Sequence, residues 1–185
     1  MWSSSMEVVG NLVLIGPDGT ATTQAGSLTD AVAQLVQGSD DPARTAAQLL
    51  AAIGAVGDEA TTQNLQDIAA GIAQAGVSAA DLAQAVSDYV QGAVDQALTA
   101  ADIVRGGKYL SDDLKGGTGK GLADAAREIG KTDPTTAGAI GGTVEGSNDP
   151  ALQNAYNTEI TNGTQPHGDN LLQNQQNQQD TRSPN

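Results

Sequence analysis

Two periodicities divide the chain. From Glu7 to Thr23 the aliphatic residues Val8, Val9, Leu12, Val13, Leu14 and Ile15 lie in a short run closed by Gly16-Pro17-Asp18-Gly19. That tetrapeptide is a turn with a mechanism: Pro17 presets φ, and Gly19 accepts a positive φ without a side-chain clash. The pattern predicts a strand-turn-strand over 7–25. A lone hairpin is marginal in water, so Val8, Leu12 and Leu14 form a candidate strand-pairing edge.

From Ser27 the period lengthens to that of a helix, and the helices carry their own punctuation. Ser27 is a candidate N-cap, Leu28, Ala31, Val32, Leu35 and Val36 share one face, and Gly38 closes the segment. Asp41-Pro42 opens a second helix, since Asp can cap free N–H groups and Pro at the first helical position has no donor to lose. Its stripe is Ala46, Leu49, Leu50 and Ile53, with Gly57 as its end. A third runs from about Thr62, burying Leu65, Ile68, Ala69 and Ile72 and stopping at Gly76.

Ser78 to Val104 reads as one long helix. Written as heptads, Ala83, Val86, Val90, Ala93, Ala97, Ala100 and Val104 form a packing seam narrow enough for a close neighbour. Asp81, Asp88, Asp95 and Asp102 recur every seventh residue on the outward side. They cannot share one cation, because seven residues of helix separate neighbours by roughly 10 Å, whereas Ca²⁺ ligands lie within about 2.6 Å of the ion.

Beyond Arg105 the chain is rich in glycine. Leu122, Ala125, Ala126 and Ile129 suggest a short helix ending at Gly130, and Asp133-Pro134 and Asp149-Pro150 suggest two more starts, the last burying Leu152, Ala155 and Tyr156. Gly116-Gly117-Thr118-Gly119-Lys120-Gly121 fails as a phosphate loop: Leu114 stands where the first Gly is required, and Gly121 follows the lysine in place of Ser or Thr. A flexible linker is the expected reading. After about Asn162 the residues turn polar, and Asn174 to Gln179 are all Asn or Gln, so 162–185 is expected to be disordered.

The predicted organisation is therefore a possible added leader at 1–6, the hairpin at 7–25, an acidic helical core at 26–104, a Gly-rich segment with short helices at 105–161, and the tail. The fold class is mainly α: a small bundle of short Ala-rich amphipathic helices with a minor N-terminal β-hairpin and a disordered C-terminal tail. Composition thins its core. Leu, Ile, Val and Phe make up only about 19% of the residues, near the level below which charged chains stay unfolded.

Charge narrows the partners. A formal net charge of -14 disfavours nucleic acid, whose binding depends on Lys and Arg displacing counterions. Residues 26–104 carry ten acids against Arg44 alone, or about -9, whereas 105–131 hold Arg105, Lys108, Lys115, Lys120, Arg127 and Lys131 against four acids, or about +2. Those six bases form a candidate docking segment, expected to fold back on the acidic helices or to dock on those of a second subunit.

Chemistry is sparse. Cys is absent, so there are no thiolate ligands or disulfides, and the sole histidine, His167, lies in the tail. A triad or a His-based metal site is not expected. Val8 to Ile15 also fails as a signal-peptide core, because Glu7 precedes it where a basic residue belongs. No catalytic, cofactor or metal residues emerge. The expectation is a non-enzymatic helical interaction or assembly protein, binding a protein partner or itself, with a bacterial surface or exported setting suggested by the Asp-heavy composition. The rivals are a filament or virion subunit pairing through the N-terminal strand, and a small-molecule-binding or enzymatic helical domain.

Overall fold

The computed structural model describes residues 13–15, 21–23, 28–57 and 60–164. Among these the protein is mainly helical, with α1 Leu28–Gln37, α2 Pro42–Val56, α3 Thr62–Gln74, α4 Ala79–Gln91, α5 Gln96–Gly106, α6 Asp112–Gly130, α7 Pro134–Gly146 and α8 Pro150–Thr164. Two three-residue strands, β1 Val13–Ile15 and β2 Ala21–Thr23, pair antiparallel with Leu14 opposite Thr22. The rest of the expected hairpin, including Val8 and Leu12, the leader at 1–6 and the tail beyond Thr164 lie outside the described residues.

The helix starts follow from capping chemistry. Asp41, Thr61, Ser78, Asp95, Ser111 and Asp133 each accept a hydrogen bond from a backbone N–H of the first turn, satisfying donors that have no partner within the helix. Pro42, Pro134 and Pro150 occupy the first helical position. At two ends the chain turns through a positive φ, at Gly57 (67°) and Gly76 (78°), a conformation open to glycine at little cost.

The helix expected from Ser78 to Val104 is two helices. α4 ends at Gln91, Gly92 caps it, and the side chain of Asp95 accepts from Leu98 N–H to begin α5. Heptad spacing favoured continuity. Glycine is a poor helix former, and Asp gains more from capping than from an interior position, so the local terms won at Gly92-Ala93-Val94-Asp95. The break has a tertiary consequence, for α4 packs on α6 while α5 turns away to pack on α2 and α7.

The second difference is larger. The supposed linker is the middle of α6, the longest described helix and the one on which α4, α7 and α8 all pack. Leu114, Thr118, Leu122, Ala125, Ala126 and Ile129 are buried along it. Its glycines are contacts: a β-carbon at Gly117 or Gly121 would strike the carbonyl oxygen of Ala79 or Ala83 on α4, and one at Gly119 that of Leu152 on α8. Gly54 of α2 and Gly106 of α5 do the same for each other's helices, against the carbonyls of Asp102 and Leu50. Helix propensity argues against glycine by about 1 kcal/mol per residue, but backbone-to-backbone approach from two sides admits nothing larger.

Around these contacts runs one hydrophobic core, including Val36, Leu50, Ile53, Ile72, Leu82, Val86, Val90, Ile103, Leu122, Ile140 and Val144. α1 and α3 pair at its outer end, where Gly71 of α3 admits Val32 of α1.

Candidate functional site

The seam residues do not form one line. Ala83, Val86 and Val90 are buried on α4, and Ala100 is buried on α5, but Ala93 falls in the break, and Ala97 and Val104 are only half-buried. The residue between the helices, Val94, is fully exposed, and Leu98 in the first turn of α5 is 56% exposed.

Three of the four periodic aspartates face water, each with a local task. Asp81 accepts from Ser78 Oγ at 2.6 Å, Asp88 from Gln84 Nε2 at 2.9 Å, and Asp95 caps α5. Asp102 does not follow them. The turn of α5 carries it inward against α2, where burial pushes its carboxyl above the usual carboxylate range despite the opposing pull of Arg105. Arg105 Nη1 reaches both Asp102 Oδ1 at 3.3 Å and the Gly54 carbonyl at 2.7 Å.

The six bases of 105–131 do not reach back to the acids of α1–α4. Lys115 Nζ pairs with Asp149 at 2.6 Å, Lys120 with Glu159 at 3.6 Å, and Arg127 with both Asp124 and Glu159 at 2.5 and 3.5 Å. Lys131 pairs with Glu128 one turn earlier at 2.7 Å, and Arg105 with Asp102. The segment does fold onto α4, but through Gly117 and Gly121 against Ala79 and Ala83; its charges point to α8 and along α6. Lys108 instead lies over Tyr109, its ammonium 5.6 Å from the ring centroid.

One concavity collects three of these bases. Between α5, α6, α7 and the first turn of α8 is a groove of about 310 Å³, lined by Arg105, Lys108, Lys115 and Asp149 with apolar walls from Ile103, Val104 and Leu152. Asp149 accepts from the N–H groups of Ala151 and Leu152 as well as from Lys115. Burial pushes its carboxyl up, but the lysine and the two amides outweigh that and hold it below the usual range. Asp149-Pro150 announced itself as a helix start; its second role, as partner to a lysine 34 positions earlier, has no sequence signature.

Among the described residues, no three His, Asp or Glu side chains come together as metal ligands, and every buried side-chain N or O has a hydrogen-bond partner. No described helix is long and apolar enough to cross a membrane. His167 lies outside the described residues. Compared with family models, with curated proteins and with solved structures, the chain matches none.

Proposed function

We propose that this is a non-enzymatic helical interaction protein whose acid-rich half, α1 to α5, receives a basic protein partner. One coincidence carries the reading. Lys115, Lys120, Arg127 and Lys131 form their ion pairs on α6 to α8 and the turns between them, and Arg105 pairs with Asp102 at the end of α5. Asp41, Asp67, Asp81 and Asp88 take their hydrogen bonds from amide, glutamine and serine donors instead. The same half carries the exposed large hydrophobics Leu35, Val56, Val94 and Leu98.

Scattered exposed aliphatics are ordinary on a protein surface. Val94 differs because the chain between two helices holds it clear of everything, and its neighbour Leu98 adds apolar area beside Asp95. Apolar anchors amid charge that is predominantly of one sign suit a basic surface with a pocket: the charge would steer encounter, and the aliphatics would supply the area removed from water. Because five of the six bases in 105–131 are satisfied within the chain, a separate basic partner fits better than a second copy docking through that segment.

The test is capture from the protein's source at low and high salt, with wild type beside the double variant Val94→Asp, Leu98→Asp. A stoichiometric basic protein that is lost both in the variant and at high salt supports the reading. Retention of the same proteins by the variant contradicts it.

A further inference from the structure

The groove between α5, α6 and α7 has a charge opposite to that of its protein. Three cations, Arg105, Lys108 and Lys115, line it against the one carboxylate of Asp149, on a chain of formal net charge -14. Its volume of about 310 Å³ sits at the lower end of small-ligand pockets, about 300–1,000 Å³.

The cations are not equally committed. Lys115 is held by Asp149. Arg105 engages Gly54 and Asp102 through Nη1, and 52% of its side chain is exposed. Lys108 is exposed and its ammonium is balanced only by the face of Tyr109. The hydroxyls at the back of the groove are not spare donors: Thr118 Oγ1 donates to the Leu114 carbonyl at 2.9 Å and Ser147 Oγ to that of Val144 at 2.6 Å. Recognition therefore falls to Lys108 and the outer edge of the Arg105 guanidinium, over walls made by Ile103, Val104 and Leu152.

With Asp149 paired to Lys115 and Asp102 to Arg105, one net positive charge remains, centred on Lys108, with the Arg105 guanidinium beside it to supply directed donors. We propose that the groove binds a small molecule bearing a phosphoryl group, whose charge at neutral pH is about -1.5 to -2, with its body against the apolar walls. A guanidinium edge beside a lysine suits that group, since the fork supplies directed N–H donors and the ammonium a point charge. A polyanion such as nucleic acid would meet the acidic surroundings as well as the groove; a compact ligand meets only the groove.

The experiment uses the full-length chain labelled with ¹⁵N and titrated with inorganic phosphate at constant ionic strength. Saturable shifts are expected at the amides of Gly107, Lys108, Gly146 and Ser147. Lys108→Met, a change at an exposed side chain, should weaken binding about tenfold, the equivalent of about 1.4 kcal/mol. Asp149→Asn keeps a capping side chain at the start of α8 but removes the competing carboxylate and releases Lys115, so it should tighten binding several-fold, a gain that misfolding cannot mimic. Absence of shifts at tens of millimolar phosphate, or affinities indifferent to both substitutions, overturns the proposal. So does equal affinity for succinate, which would show that charge alone is read.

Discussion

At Gly116 and Gly117, adjacent residues of one helix, the same substitution should have opposite effects. A β-carbon at Gly116 meets nothing within 4 Å, whereas one at Gly117 collides with the backbone of Ala79. Gly116→Ala should stabilise the protein by about 0.5–1 kcal/mol, since alanine loses less conformational freedom in a helix interior. Gly117→Ala should destabilise it by roughly 2 kcal/mol or more, because two backbones must separate to admit the methyl group. Urea unfolding followed by far-ultraviolet circular dichroism separates the two, and a shift of the same sign for both would show that the site is not packed as described. Asp102 and Asp149 offer a second contrast at this scale. Asp149, held below its ordinary range, contributes stability that is present above that range and lost as pH falls through its native-state value. Asp102, held above its range, works the other way: its ionisation costs the native state, and the cost disappears as it is protonated. Asp149→Asn should therefore cost about 1 kcal/mol at neutral pH and progressively less as pH falls below the ordinary carboxylate range, while Asp102→Asn should be neutral or stabilising at pH 7 and lose that advantage in acid. Urea midpoints measured across that range would show the two trends.

For whole elements, the break between α4 and α5 is the sensitive point. Asp95→Ala removes the side chain that accepts from Leu98 N–H, so α5 should lose about 1 kcal/mol, as helices do without their N-cap. Urea unfolding measures that loss, and an unchanged midpoint would mean that packing on α2 alone sets where α5 begins. What the chain's pattern reveals and what it hides divide here along physical lines. Asp41-Pro42, Asp133-Pro134 and Asp149-Pro150 mark helix starts legibly because capping is settled within four residues. The stripe of Leu49, Leu50 and Ile53 is legible because burial repeats with the helix period. The break at Gly92 to Asp95 is hidden, because Ala93 and Ala97 keep a heptad that the local backbone abandons. α6 is hidden more deeply: Gly116, Gly117, Gly119 and Gly121 carry the composition of a linker, and only their partners make them helical. A trace does exist, in that Gly117 and Gly121 are four apart, as are Ala79 and Ala83 opposite them, but nothing in one segment names the other. The groove is illegible for the same reason, since Arg105, Lys115 and Asp149 converge only once α6 is in place.

At the scale of the whole molecule, charge is segregated, and among the described residues the pair of Asp102 with Arg105 is where the two sides meet. Acids accumulate on α1 to α5 and bases on α5 and α6, and Arg105, Lys115, Lys120, Arg127 and Lys131 are answered by Asp149, Glu159 and their own helix neighbours. Salt should consequently have little effect on mass in solution: light scattering at about 0.02 M and about 0.5 M salt, conditions on either side of the screening threshold, should return the same value. A mass that falls on adding salt would revive docking between subunits through the basic segment. The arrangement rests throughout on a glycine-rich helix at the centre, and amide hydrogen exchange across residues 114–126 tests that most directly. The amides there should exchange only through global unfolding, as slowly as those of Leu50 and Val86 in the core. Exchange at the rate of an unstructured peptide would return the segment to a linker and remove the surface on which α4, α7 and α8 are packed.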